Sequence, residues 1–214
     1  MGAPNASSIS PLHSASLRAG FDEGVRTYLR INPLSAHFSL IEVSDLILVG
    51  EDGNGVEGDE PVNLPAFAIH SEIHKARPDV NAACHATASQ EKPSHALGSH
   101  ALYREFRGLI LDGEEGKRIA QALGEGKATI LQNHGLLTVG QSVDEAGFWF
   151  ISLDKTCHAQ LLADAAAAGG YKIIIDKEGT AYSAPHVGGP EKGWLAFQLY
   201  YDEQVAKTKG EFLL

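Results

Sequence analysis

The stretch NAACHAT, residues 81–87, decides the reading of this chain: small and apolar side chains run without a break up to one histidine, His85, near the end. A run this short and this continuous suits a strand covered on both faces. Directly upstream, Asn63 can cap a helix that starts at Pro65, continues through AFAIHSEIHKAR and stops before Pro78. Downstream, Ala128–Gln132 (ATILQ) is a second near-continuous apolar run, turned by Asn133-His134-Gly135 into Leu136–Val139. Two buried strands, each with a histidine at its end, therefore frame the chain.

Other elements fall into place around these. RTYLRI, residues 26–31, has the β-branched and aromatic content of a strand. His37–Ile41 and Leu46–Val49 are short apolar pieces, and EDGNGVEG after the second suits a tight turn between antiparallel strands. A calcium loop beginning at Asp52 is excluded, because Glu57 stands where glycine is required and the closing glutamate is missing. Asp112 with Glu115, and Ser142 with Glu145, form capping-box patterns for helices ending near Leu123 and Ala168. Tyr171–Ile175 reads as a strand, and the tail from Pro185 shows weak periodicity. Residues 90–104 are polar and resist assignment. Strands alternating with helices give α/β or α+β, with helices on the faces of a central sheet. Residues 1–16 read as a flexible arm and 17–214 as a single domain.

The bulk composition narrows the functions. The 214 residues carry a formal charge of −10, with 43% hydrophobic and 21% charged residues. An acidic chain lacks the basic stripe that would neutralise nucleic-acid phosphates or adhere to anionic membranes. No secretory leader is recognisable, so a cytoplasmic location is expected. Cys84 and Cys157 match no redox or metal spacing and read as buried thiols.

Ten histidines in such a chain call for sorting. His70 and His74 share one helical face, a spacing that can grip zinc, but with Ile69 and Ile73 beside them they read as a packing residue and a surface one. His85 stands differently. Residue 87 shares its face of the strand, and a His-x-His pair there would present two imidazoles to one metal. Here the second position is Thr87, a poor zinc ligand. His134 sits in a turn where Gly135 gives the backbone unusual freedom.

The segment IHSEIHKARPDVNAACHA (69–86), followed by ILQNHGLLTVG (130–140), resembles the class II aldolase/adducin domain, with fungal adducin-head-like members closest in appearance. The resemblance covers roughly residues 30 to 170 and resumes at SHALYREFRGLILDGEEGKRIA (99–120). It implies a three-layer α/β/α domain with a central, largely antiparallel sheet. It also implies a homo-oligomer acting on a small molecule, with a divalent metal, commonly zinc, held by histidines. On this chain His85 and His134 occupy two of the metal-ligand positions, while Thr87 replaces the usual second histidine. Ala66 stands where the aldolases carry their glutamate. Glu72 is a candidate substitute base, and His100 or His95 a candidate further ligand or acid/base. Three functions follow: an aldolase-type lyase or isomerase acting on a small oxygenated carbonyl substrate with a divalent metal; a metal-independent tailoring enzyme of a biosynthetic pathway; or a non-catalytic interaction module of the adducin-head kind.

Overall fold

The computed structural model describes residues 14–21, 27–34, 36–87, 100–105 and 113–213. The apolar runs pair into one eight-stranded sheet. Its strands are β1 (Ser14–Phe21), β2 (Thr27–Ile31), β3 (Ile47–Val49), β4 (Gly55–Glu57), β5 (Ala82–Thr87), β6 (His100–Tyr103), β7 (Ala128–Leu131) and β8 (Gly135–Gly140). They lie in the order β4-β3-β2-β1-β5-β8-β7-β6. Among the described strands only β6 and β7 run parallel. β5 lies between β1 and β8, consistent with its unbroken apolar sequence.

Side-chain alternation assigns the two faces. Ala83, Leu131, Leu137 and Val139 pack with Ile69, Ile73 and Ile119, so that face lies under helices α1 (Leu64–Ala76) and α2 (Gly113–Leu123). Ala82, Cys84, Ala86, Ala128, Ile130 and Leu136 pack with Phe150, Leu153 and Cys157 of α3 (Val143–Ala167) on the other. This is the three-layer α/β/α arrangement. Fully burying a leucine, isoleucine or phenylalanine contributes about 1.5–3 kcal/mol, so these two layers dominate the stability.

The start of α1 follows its sequence. The Asn63 side chain accepts from the Ala66 N–H, Pro65 lies in the first turn, and the helix is capped at Arg77 before Pro78. Arg77 then ties the helix end to the next connection, holding Asp79 through two 2.7 Å hydrogen bonds and donating to the carbonyls of Gly124 and Gly126.

Several expectations are corrected. The sheet begins at Ser14, so Ser14–Ser16 belong to β1 and not to an arm; the rest of that arm lies outside the described residues. Ser142 caps α3 by accepting from the Glu145 N–H at 3.1 Å, but the Glu145 carboxylate takes the Gln141 N–H, Lys127 and Trp149 instead of closing a box. Glu115 likewise holds Tyr103 and Arg118, and Asp112 lies outside the described residues. Tyr171–Ile175 pairs with no strand among the described residues and is largely exposed, with Tyr171 and Ile173 both 91% accessible. A β-branched run supplies propensity, but a strand also needs a partner edge. The tail is helical, comprising α4 (Lys177–Val187) and α5 (Pro190–Thr208). α5 lies against α3 at two glycines: a Cβ on Gly147 would sit 2.6 Å from Phe197, and one on Gly193 would sit 2.9 Å from Glu145.

Two predictions arise here. Ser142→Ala removes the α3 cap and is expected to lower unfolding stability by about 1 kcal/mol, read as a shifted urea midpoint at unchanged slope. Glu145 gives a pH signature. Burial alone would raise its carboxyl, but the hydrogen bonds from Lys127, Trp149 and the Gln141 N–H outweigh it and hold the group below the ordinary carboxylate range. A depressed folded-state pKa contributes stability that is full above the unfolded pKa and fades as pH falls through the folded value. Glu145→Gln is therefore expected to flatten the loss of stability as pH falls below the ordinary carboxylate range, measured by urea titrations at each pH. Equal slopes in variant and wild type would count against it.

Candidate functional site

The β5–β8 ladder brings the two framing histidines together. His85 pairs with Leu137 in β8, so its side chain lies on the α1/α2 face, and Thr87 pairs with Gly135 where the ladder ends. His134 occupies the tight turn between β7 and β8, closed by the hydrogen bond from its own N–H to the Leu131 carbonyl at 2.9 Å. That turn needs one left-handed residue, and it is Asn133 (φ 59°). Asparagine tolerates this region because its short amide can bond locally. The sequence reading placed the backbone freedom at Gly135, which is instead an ordinary strand residue paired with both neighbours.

The two rings meet edge to face, with centroids 4.7 Å apart and planes at 79°. His85 is only 6% exposed, and its Nε2 and the Nδ1 of His134 are both shielded from solvent. A shielded imidazole pair can donate or accept hydrogen bonds at a polar group placed against it, and it can exchange a proton there.

Whether this site suits the divalent metal implied by the resemblance depends on the donor set. Zinc sites in enzymes use three protein donors. Among the described residues no three of His, Cys, Asp or Glu come close enough to hold an ion. The described part of the site supplies two imidazoles and does not by itself fit the group.

The other candidates lie elsewhere. Glu72 is on the side of α1 that meets α2: its carboxylate pairs with Lys75 at 2.7 Å, and a Cβ on Gly113 would lie 3.5 Å from its Oε1. The structure does not bring it to the histidine pair. His100 opens β6 and pairs with Ala128, which packs on the α3 face, so alternation puts its side chain across the sheet from His85. It also sits at the start of β7, whereas His134 follows the end of that strand. His95 lies outside the described residues.

The reading of His70 and His74 as one packing and one surface residue is also corrected: His74 is 2% exposed and His70 is fully buried. Both reach Ser16 of β1, whose Oγ is 2.8 Å from His70 Nδ1 and 2.9 Å from His74 Nε2. Sequence reasoning missed Ser16, because a serine in a polar N-terminal stretch carries no signal until β1 is seen to pair with β5. Cys84 and Cys157 are free and buried as expected. Burial pushes their thiols up, to about 12 and about 11, the latter also by Asp154, which makes both unreactive near neutrality. No helix among the described residues is long and apolar enough to cross a membrane.

Comparison with known proteins agrees with this architecture. A protein named Decarboxylase NovR from Streptomyces niveus is 38% identical over 192 residues, covering 82% of this chain and 70% of its own. A protein named 4-hydroxy-3-prenylphenylpyruvate oxygenase/4-hydroxy-3-prenylbenzoate synthase from Streptomyces roseochromogenus is 38% identical, covering 83% and 69%. The solved structure of L-fuculose 1-phosphate aldolase from Glaciozyma antarctica superposes with a TM-score of 0.81 at 36% identity, covering 94% of this chain and 82% of that one. The sequence profile of the Class II Aldolase and Adducin N-terminal domain matches residues 13–161. With most of its length matched by that profile, and with its sheet and helices laid out in the same way, the chain belongs to the class II aldolase and adducin N-terminal domain family.

Proposed function

We propose that this chain is a carbon–carbon lyase acting on a small oxygenated carbonyl substrate, with His85 and His134 facing the reacting atoms. The observation that carries the reading is the shielded, edge-to-face imidazole pair at the ends of β5 and β7. Breaking a carbon–carbon bond next to a carbonyl sends the bond's electron pair towards the carbonyl oxygen. The resulting enolate is then protonated at carbon. A hydrogen-bond donor at the oxygen and a group that moves the proton are what such a step requires, and imidazoles serve in both roles.

Aldol cleavage and decarboxylation of a 3-oxo acid share this electron flow. A relative named as an aldolase and another named as a decarboxylase therefore support one reading. The names of the two Streptomyces proteins favour a tailoring step in biosynthesis over sugar breakdown. A divalent metal of the kind family aldolases use would need donors beyond His85 and His134. We further propose a homo-oligomer in the cytoplasm.

The test is turnover of hydroxylated ketones and 2-oxo acids followed by mass spectrometry, with zinc, manganese or iron(II) added and with chelator, alongside metal analysis of the purified protein. Cleavage products that disappear in His85→Ala support the reading. A natively folded protein that turns over none of them under any metal condition, while still self-associating, would favour the interaction module and overturn it.

A further inference from the structure

Beneath α1 lies a chain of hydrogen bonds that the proposed reaction does not use. His74 Nδ1 is 3.1 Å from the Val80 carbonyl oxygen, His74 Nε2 is 2.9 Å from Ser16 Oγ, and Ser16 Oγ is 2.8 Å from His70 Nδ1. A carbonyl can only accept, so His74 Nδ1 must carry a proton. The rest follows from counting donors. When His74 is neutral its Nε2 is bare and accepts the Ser16 hydroxyl proton. Ser16 Oγ then accepts from His70 Nδ1–H, which leaves His70 Nε2 bare. With His74 doubly protonated, its Nε2–H donates to Ser16, Ser16 donates to His70 Nδ1, and His70 carries its one proton at Nε2. His70 stays neutral in both states, and only its tautomer changes.

We infer that His74, Ser16 and His70 form a proton relay in which protonation of His74 switches His70 Nε2 from acceptor to donor. The balance is closed with one incoming proton: Ser16 passes its hydroxyl proton to His74 Nε2, re-forms its Oγ–H bond with the proton from His70 Nδ1, and His70 takes the incoming proton at Nε2, so the net charge gained resides on His74. The two ends sit in different surroundings. His74 lines a small groove with Leu29, Gly50, Glu51, Phe67, Ser71 and Lys75. His70 is fully enclosed one turn back along α1. Burial, reinforced by the neighbouring His74, lowers the His70 pKa to about 3, which keeps charge off the inner end. The charged groups on the groove are Glu51, from the turn after β3, and Lys75, on His74's own helix. From β1 the contact is Ser16; on β5 the thiol of Cys84, paired with Ala15, lies on the opposite face, and on the same face the nearest titratable residue in the register is His85, paired with Ser14.

The relay goes beyond the proposed lyase reaction, and its test does not depend on turnover. Imidazole nitrogen resonances of uniformly ¹⁵N-labelled full-length protein report which ring nitrogen carries the proton. Above the His74 titration both His70 and His74 are expected as Nδ1–H. Through that titration His70 should convert to Nε2–H without acquiring charge. Ser16→Ala should abolish the coupled switch, and Ser16→Thr, which keeps the hydroxyl, should retain it. The amide spectrum of each variant reports whether the fold is kept. A wild-type His70 whose tautomer is the same on both sides of the His74 titration, or one that charges together with His74, overturns the relay. So does a Ser16→Ala protein that is folded and still switches. Loss of lyase activity with an intact switch would count against the lyase reading alone.

Discussion

His134→Ala is expected to lower turnover by at least about a hundredfold while leaving the unfolding midpoint close to that of wild type. General acid–base groups typically contribute about 10²–10⁴ to rate. The small structural effect follows from position. The turn that carries His134 is held by its backbone N–H to the Leu131 carbonyl and by the left-handed Asn133, and alanine keeps the first and leaves the second untouched. The lost contacts include the ring edge against His85, a partly exposed residue against a buried one. His85→Ala differs, because it opens space within the covered ladder beside Leu137 and is expected to cost stability as well as rate. Steady-state kinetics and urea unfolding on both variants separate the two effects. A His134→Ala enzyme within threefold of wild type would remove His134 from the chemistry.

Much of the fold was legible because its signals were local. β5 and β7 announce themselves as unbroken apolar runs, and α1 and α3 begin at Asn63 and Ser142 with side chains that do cap them. What was not legible depends on partners distant in sequence. The helical tail has little periodicity of its own; α5 is fixed by close approach at Gly147 and Gly193, contacts between residues about fifty positions apart. The site divides in the same way. His85 and His134 could be named from strand ends and from the family resemblance, and the β5–β8 pairing then joins them. Glu72 and His100 have the right chemistry, but the helix side that carries one and the strand face that carries the other set them apart from the pair, and neither placement can be read without knowing what packs on it. Ser16 was invisible for the converse reason: an unremarkable residue acquires meaning from two histidines more than fifty positions away.

Gly116→Ala is expected to destabilise the protein by about 2 kcal/mol or more, against the direction that helix propensity alone would give. Alanine is favoured over glycine inside a helix by about 1 kcal/mol, so a free α2 would gain. Here a Cβ would stand 2.2 Å from the Ala68 carbonyl oxygen and 3.1 Å from both the Ala68 carbonyl carbon and Glu72 Cγ. The first two are backbone atoms of α1, so relief requires the helices to separate. Overpacking of this kind typically costs about 1–3 kcal/mol and occasionally more. Gly113→Ala on the same helix is the control, because its nearest neighbour is the Glu72 carboxylate at 3.5 Å, an ordinary contact. That variant should be neutral or slightly stabilised. Separation at Gly116 would also lift α1, the helix that holds Ile69 and Ile73 on the sheet and His70 and His74 on Ser16. Stability and the His70 tautomer should therefore fail together in Gly116→Ala and remain intact in Gly113→Ala. Urea unfolding with imidazole nitrogen spectra would show it, and a Gly116→Ala protein as stable as wild type would mean that the α1–α2 contact yields more easily than its backbone geometry implies.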